Sequence, residues 1–204
     1  MMLETIFLEN EELLVHSFRS QDMDHFEKLT QDIFSILSDE WTLKYIPEKR
    51  LHNLQQAELL LQTAILNYHS RQNYLHFITH KASNKVIGMI DVITPELARK
   101  HYHMDYYPFF IEFYLSSAAS GCYIMTEILP KLMEELLRQG ISKIGAVINR
   151  ENIAARRVLE KANFEFKAPF DVIQDFYQNN HQLEKVCCSN EHTTTYTTCP
   201  KSNS

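Results

Sequence analysis

The sequence predicts an α+β (mixed α/β) fold, in which a central, largely antiparallel twisted sheet of about six to seven strands carries helices on both faces. Two observations support this prediction. Short runs of β-branched and aromatic residues alternate with longer stretches whose apolar residues recur at helical spacing. Their order is strand, two helices, three strands, helix, strand, helix and two strands. This order mixes hairpins with helix-linked strands, as α+β proteins do.

The chain divides by pattern into three parts. Residues 1–12 are acidic and weakly patterned, which predicts an N-terminal extension. Residues 13–177 carry the periodic strands and helices and predict one folded domain. Residues 178–204 are rich in Asn, Gln, Thr and Ser and present no packing face, so we expect a disordered tail.

The first half of the domain begins with a strand and two helices. Residues 13–18 alternate in character and predict the strand. The first helix should follow at once, because Ser20 and Asp22 are both suitable N-cap residues. An apolar stripe over residues 54–71 predicts the second helix.

A hairpin and an irregular segment are predicted next. Residues 74–80 and 86–93 are apolar runs separated by a polar turn, which is typical of two antiparallel strands. Gly88 lies inside the second run and indicates a bulge or a close approach by another group. Residues 94–108 show no clear period and predict an irregular insertion beside a cleft.

The stretch that follows predicts a strand, a turn and a long helix. Phe109–Leu115 is an apolar strand, residues 116–121 form a turn that ends at Gly121, and the helix continues to Arg138. The first backbone N–H groups of a helix lack internal partners, and the positive end of its dipole lies there. We therefore expect this turn to bind a phosphate group.

The last part of the domain predicts a strand over residues 141–148 and a helix that begins at Asn152. Two closing strands are predicted over 164–167 and 170–177. The helix reads Asn-Ile-Ala-Ala-Arg-Arg-Val-Leu-Glu-Lys-Ala-Asn-Phe over residues 152–164.

That helix resembles the Asn-x-x-Ser-x-x-Val-Leu-Glu-Lys-x-Gly-Phe signature of the GNAT (N-acetyltransferase) superfamily. The similarity is greatest to the branch that includes ribosomal-protein N-terminal acetyltransferases. Ala155 stands at the Ser position and Asn163 at the Gly position. The resemblance implies a GNAT-like fold and an acyltransferase that uses acetyl-CoA as cosubstrate. Its acceptor would be a primary amine, of a protein N-terminus or a small molecule, that attacks the thioester directly.

The predicted turn is similar to the pyrophosphate loop of the family, Gln/Arg-x-x-Gly-x-Gly/Ala, but departs from it. Gly121 matches, whereas Ala118 replaces the basic or amide residue and Tyr123 replaces the second small residue. These departures leave a second interpretation open. The chain would then be a catalytically degenerate GNAT-fold module that binds coenzyme A or another protein.

The resemblance implies that acetyl-CoA lies along the strand and the turn, with its pantetheine arm paired to residues 113–117 as an extra strand. Asn152 would hold the pantetheine or the strand geometry, the alternative being an ordinary helix cap. The residues expected to contact the cofactor are Phe113, Leu115, Ser116, Ala118, Ser120, Gly121, Cys122, Tyr123, Asn152 and Arg157.

Acid–base chemistry at the amine needs a titratable group in the cleft. Glu112 is the only acid in its strand, and a carboxylate in an apolar strand is expected to have a raised pKa and to act as general base. The alternative is that it points to solvent or pairs with an arginine. Asp91, on the neighbouring strand, is a second candidate. Tyr114 and Tyr123 are candidates for the acid that protonates the leaving thiolate.

Composition and charge limit the partners. The formal net charge of -6 argues against nucleic acid, because nucleic-acid binders normally present a basic surface. The acidic N-terminus does not resemble a signal peptide, and no stretch approaches the roughly 20 apolar residues that span a bilayer. We expect a cytoplasmic protein without membrane contacts. Whether it forms a homodimer stays open.

No metal is expected either. Three of the four cysteines, Cys187, Cys188 and Cys199, lie in the tail at spacings that fit no zinc pattern. His101 and His103 lie close together in the insertion, but such pairs are common without metal.

Overall fold

A computed structural model describes residues 3–102 and 104–179. The strands within them are β1 Phe7–Glu9, β2 Leu13–Ser17, β3 Asn73–His80, β4 Lys85–Ile93, β5 Phe109–Leu115, β6 Ile144–Asn149, β7 Phe164–Pro169 and β8 Gln174–Asn179. The helices are α1 Phe26–Leu37, α2 Leu54–His69, α3 Pro95–His101, α4 Ile124–Arg138 and α5 Ile153–Lys161.

The strands form one sheet in the order β1-β2-β3-β4-β5-β6-β8-β7. Among the described residues, β5 and β6 are the one parallel pair, so the sheet is largely antiparallel. The predicted fold class is therefore confirmed, with eight strands instead of six or seven.

Helices cover both faces of the sheet. On one face, Ile33 of α1 and Leu61 of α2 pack in a cluster with Phe77 of β3. On the other face, Leu129 of α4 packs in a cluster with Ile78, the next residue of the same strand. Successive strand residues point to opposite faces, so β3 supplies both cores.

The N-terminal residues are part of the sheet. β1 pairs antiparallel with β2, and Leu3 and Ile6 are buried in the same core as α4. Residues 1–12 were expected to form an extension; the structure instead folds residues 3–9 against the domain. A strand of three residues is too short to show an alternating pattern, which is why the sequence did not reveal it.

A helix, α3, occupies part of the segment that was expected to be irregular over residues 94–108. Thr94 caps this helix by accepting a hydrogen bond from the Leu97 N–H at 3.3 Å, and Pro95 is its first residue. Both features favour a helix N-terminus, so the local signal was present in the sequence. The prediction of an irregular insertion was wrong over residues 95–101.

The described chain ends at β8. The side chain of Asn179 accepts a hydrogen bond from the Ile144 N–H at 2.8 Å and donates one to the Ser142 carbonyl at 2.9 Å. Residues 178 and 179 were expected in the disordered tail, but they belong to β8. The rest of the predicted tail, with its cysteines, lies outside the described residues. None of the helices in the described part of the chain is long and apolar enough to cross a membrane.

β5 and β6 pair only where they begin. Phe109 lies opposite Ile144 and Phe110 opposite Gly145, and the described pairing between the two strands stops there. β5 nevertheless continues to pair with β4 up to Leu115. The sheet therefore opens along the second half of β5.

Gly88 holds β5 close to β4. The β3–β4 register shifts next to it, between Ile78 and Thr79, and a Cβ atom at Gly88 would lie 2.7 Å from the Tyr114 carbonyl oxygen and 2.6 Å from a Leu115 methyl carbon. Both features expected of this glycine, a bulge and a close approach, are confirmed.

We predict that Gly88→Ala lowers the free energy of unfolding by about 1–3 kcal/mol, because the new methyl group would force β4 and β5 apart. Urea denaturation followed by circular dichroism measures the change. Lys85→Ala, at an exposed position of the same strand, is the control and should change stability by less than about 0.5 kcal/mol. Equal stability of the two variants would contradict the close approach.

Candidate functional site

The gap between β5 and β6 opens into a cleft of about 1130 Å³. Its walls come from the loop between α1 and α2, from β4 and β5, from the turn before α4, and from α5. Ligand pockets typically have volumes of about 300–1,000 Å³. A cleft of this size suits a long organic ligand.

Main-chain groups of β5 face the gap. The Ser116 N–H donates to the Ile87 carbonyl at 2.9 Å, which fixes the phase of the β4–β5 hydrogen bonds. Because these bonds alternate along an antiparallel pair, the N–H and C=O groups of Phe113 point the other way, into the gap beyond the last β5–β6 pair. An extended ligand can pair with such an edge as an additional strand.

The turn before α4 leaves a helix N-terminus open to the cleft. Gly121 has φ of 79° and Tyr123 has φ of 59°, and Tyr123 is the N-cap residue without a side-chain cap. The first helical hydrogen bond of α4 runs from the Glu127 N–H to the Tyr123 carbonyl at 3.0 Å. The N–H groups before Glu127 therefore have no partner within the helix. A Cβ atom on Gly121 would meet nothing within 4 Å, so a ligand can approach the backbone there.

Tyr123 lines the mouth of the cleft and does not fill it. Its side chain is 76% exposed, and the Lys161 ammonium lies 5.6 Å from its ring centre. Lys161 and Arg157, one turn apart on α5, also line the cleft. Two cations beside an uncapped helix N-terminus favour binding of an anionic group.

A hydrogen-bonded network surrounds Glu112 at the other end of the cleft. Lys49 Nζ donates to Glu112 Oε2 at 2.7 Å, Tyr102 Oη donates to Oε1 at 3.3 Å, and the Tyr114 hydroxyl donates to Oε2. Burial raises the pKa of Glu112, but the ion pair with Lys49 and the three donated hydrogen bonds outweigh it and bring the pKa below its usual range.

That outcome corrects the expected pKa of Glu112. A raised pKa was predicted because the strand is apolar, but donors from three other positions hold the carboxylate ionised. The partner is a lysine, where the alternative interpretation expected solvent or an arginine.

The two tyrosines of the network keep their protons. Burial and the negative charge of Glu112 raise the pKa of Tyr102 and of Tyr114. Both hydroxyls donate to the carboxylate. The role of Tyr114 as the acid for the leaving thiolate stays a prediction.

Asp91 lies directly opposite Glu112 in the β4–β5 register. The Asn73 side-chain amide donates to Asp91 Oδ2 at 2.7 Å, whereas Asp91 Oδ1 and Asn73 Oδ1 are buried and have no hydrogen-bond partner among the described residues. Burial and the charge of Glu112 raise the pKa of Asp91 to about 7. Both residues line the cleft.

Comparison with known families decides what kind of protein has this arrangement. The family model described as the acetyltransferase (GNAT) domain matches residues 13–165. The chain belongs to the GNAT acetyltransferase family. By family it is an acyltransferase of the N-acetyltransferase type, which confirms the resemblance seen in the sequence.

Relatives of this GNAT protein agree with the assignment. It is 25% identical over 174 residues to the uncharacterised N-acetyltransferase YoaA of Bacillus subtilis, covering 84% of this chain and 89% of that protein. Its fold is similar to that of RimL, a ribosomal L7/L12 alpha-N-protein acetyltransferase, in complex with coenzyme A, with a TM-score of 0.66 at 16% identity over 86% of this chain and 97% of that one.

A third similar structure is that of MccE, a microcin C7 self-immunity acetyltransferase, in complex with acetyl-CoA and AMP. The TM-score is 0.61 at 13% identity, over 83% of this chain and 93% of that one. The GNAT fold of the present chain is therefore shared with proteins seen in complex with coenzyme A or acetyl-CoA.

The residues predicted to contact the cofactor lie around the cleft, with three exceptions. Ser116 directs its N–H to β4, and Ala118 and Cys122 are exposed and do not line the cleft. The predicted residues that line it are Phe113, Leu115, Ser120, Gly121, Tyr123, Asn152 and Arg157. Their contacts with a cofactor stay a prediction.

Asn152 is a helix cap, which was the alternative to the pantetheine-holding role expected from the sequence. Its side chain accepts a hydrogen bond from the Ala155 N–H at 3.0 Å and so caps α5. Because Asn152 also lines the cleft, the cap fixes the start of α5 beside the ligand space.

Sequence reasoning missed three members of the network. Lys49 and Asn73 lie far from Glu112 in the chain, and nothing local marks either of them. Tyr102 lies in the segment that was expected to be irregular, where no local pattern indicates that its hydroxyl reaches Glu112. His103 lies outside the described residues. Within the described ranges, no group of three or more His, Cys, Asp or Glu side chains is placed to hold a metal ion.

We predict that Lys49→Met lowers the free energy of unfolding at pH 7 by about 1–3 kcal/mol, because it leaves the Glu112 charge without its cation. The decrease should lie near the lower end of this range, because the Lys49 side chain is 39% exposed and the ion pair is therefore partly screened by solvent. A carboxyl with a lowered pKa stabilises the fold above its unfolded-state pKa and loses that effect as the pH falls. The difference from wild type should therefore shrink below about pH 4.5.

Thermal denaturation at neutral and acidic pH measures this difference. Lys44→Met is the matched control, since Lys44 lies in the same loop and its ammonium is over the Tyr45 ring. A loss in Lys49→Met that is the same at both pH values, or the same as in the control, would contradict the ion pair.

Proposed function

We propose that this GNAT protein transfers the acetyl group of acetyl-CoA to a primary amine, of a protein N-terminus or of a small molecule. One observation carries the proposal. The opening between β5 and β6 connects an uncapped helix N-terminus at one end with a carboxylate network at the other. The first end suits the phosphates of the cosubstrate and the second suits a cationic acceptor.

The residues present fit acetyl-CoA. The pyrophosphate would lie against the N–H groups of the turn at Gly121, with Arg157 and Lys161 providing positive charge. The pantetheine arm would pair with the exposed edge of β5 at Phe113. When bound there, the cosubstrate supplies an activated acetyl group, and a main-chain N–H of β5 is positioned to polarise its carbonyl.

The acceptor would enter from the side of the α1–α2 loop. Trp41 and Tyr45 line this end of the cleft with Tyr102. We propose that Glu112, kept ionised by Lys49 and oriented by Tyr114, attracts the ammonium group of the acceptor. The amine must then lose a proton before its nitrogen can attack the thioester carbon.

The structure gives less weight to the degenerate-module alternative. Ala118, which replaces a polar residue of the family loop, does not line the cleft, and Tyr123 is exposed and leaves the turn accessible. Both departures are therefore compatible with cofactor binding. The cytoplasmic location expected from the sequence stays a prediction.

We predict that acetyl-CoA and coenzyme A both raise the melting temperature. A ligand at 100 times its Kd adds about 2.7 kcal/mol to the free energy of unfolding. The double variant Arg157→Ala/Lys161→Ala should bind more weakly because two cations beside the turn are lost. Lys167→Ala, on an exposed part of β7 outside the cleft, is the control. No stabilisation by either compound at millimolar concentration would refute the proposal.

Turnover provides the second test. Release of coenzyme A thiol is followed with serinamide, alaninamide, ethanolamine and spermidine as acceptors. We predict release with at least one of them, and a fall in kcat/KM of about tenfold or more in Glu112→Gln, because the charge that attracts the ammonium is lost. The Kd of acetyl-CoA should not change. Binding without release for every acceptor would favour the degenerate module.

A further inference from the structure

We infer that Asp91, and not Glu112, accepts the proton that the acceptor amine must lose. The inference rests on the proposed acetyl transfer and assigns its general base. Three observations lead to it: the hydrogen bonds already made by Glu112, the unpaired oxygens of Asp91 and Asn73, and the pairing of the two carboxylates across β4 and β5.

Glu112 is poorly placed to take up a proton. Its two oxygens already accept hydrogen bonds from Lys49, Tyr102 and Tyr114. Protonation would remove the charge that Lys49 balances and would turn an acceptor oxygen into a donor facing other donors. Such an arrangement stabilises the ionised carboxylate and suits a fixed charge, not a base.

Asp91 has the acceptor capacity that Glu112 lacks. The Asn73 amide donates to Asp91 Oδ2, and Asp91 Oδ1 is buried without a hydrogen-bond donor among the described residues. The side-chain oxygen of Asn73, Oδ1, is likewise buried without a donor among them. Buried polar atoms without partners are rare and costly, and here two occur on residues that are hydrogen-bonded to each other and line the cleft. An ammonium group has N–H donors for both, either directly or through one water molecule.

The charges around Asp91 tune it for this task. Glu112 faces it from β5, Lys49 from the loop before α2, and the hydroxyls of Tyr102 and Tyr114 lie in the same network. Burial and the Glu112 charge raise the pKa of Asp91, while Lys49 and the Asn73 hydrogen bond lower it, with a result of about 7. A base works best when its pKa is near the operating pH.

The proton balance of the transfer is complete with this assignment. One N–H proton of the acceptor ammonium passes to Asp91, and the nitrogen lone pair then forms the bond to the thioester carbon. The carbon–sulfur bond breaks, and a second N–H proton passes to the departing sulfur, which gives the thiol. Asp91 returns its proton to solvent, so the products are an amide, coenzyme A thiol and one proton.

The first test needs no acceptor. The aspartate side-chain carboxyl carbons are labelled with ¹³C, and their NMR signals are followed from about pH 4 to about pH 9. One carboxyl should titrate near neutral pH in wild type and in the exposed-surface control Asp24→Asn, and should be absent in Asp91→Asn. In Glu112→Gln the same titration should move to lower pH. A wild-type spectrum without it, or its survival in Asp91→Asn, would overturn the inference.

The second test is the pH profile of kcat/KM with acetyl-CoA and serinamide. The wild-type kcat/KM should rise with pH through about pH 7. In Asp91→Asn this rise should be absent and kcat/KM should fall by about 10²–10⁴-fold, while the Kd of acetyl-CoA stays unchanged. Glu112→Gln should keep the rise at lower pH. Loss of the rise in Glu112→Gln alone overturns the inference and leaves acetyl transfer standing. No thiol release by wild type with any of the four acceptors overturns acetyl transfer itself.

Discussion

The incomplete pairing of β5 with β6 is the constraint on which the rest of the structure depends. The main-chain groups of a β-strand inside a sheet normally form hydrogen bonds with both neighbouring strands. In the described structure, β5 pairs with β6 at just two positions. Beyond them, the Leu115 carbonyl accepts a hydrogen bond from the Thr42 hydroxyl at 3.0 Å, whereas the groups of Phe113 must bond to water or to a ligand. Gly88 keeps the other edge of β5 tightly against β4, so the strand stays in place while its second edge is open. The cofactor binding and the acceptor chemistry that we propose both use that opening.

Two carboxylates that face each other across β4 and β5 have opposite surroundings. Glu112 receives a cation and two hydroxyls, whereas Asp91 receives a single amide and has a buried carboxyl oxygen beside a negative charge. Their pKa values are pushed apart as a result, one below its usual range and the other to about 7. Such divergence separates a fixed charge from a group that exchanges protons. In the proposed reaction, Glu112 would attract the amine and Asp91 would deprotonate it.

Local sequence signals predicted most of the fold. Periodicity located the main strands and helices, Gly88 indicated the bulge, and Gly121 marked the turn before the long helix. β1 was missed because three residues show no period, and α3 was missed although Thr94 and Pro95 form a standard helix start. The main-chain part of the site was predictable, and so were Glu112, Tyr114 and Asp91 as polar residues on its two strands. The partners that set their charges were not, because Lys49 reaches Glu112 from a loop 63 residues away.

The most direct measurement of the central claim is a titration of the ¹⁵N-labelled protein with coenzyme A, read from backbone amide NMR signals. If the opening holds the cofactor, the amides of Phe113, Gly121 and Tyr123 should shift together and saturate at one Kd, while those of β1 should not move. Saturable shifts confined to other parts of the protein, or none at millimolar coenzyme A, would contradict the account.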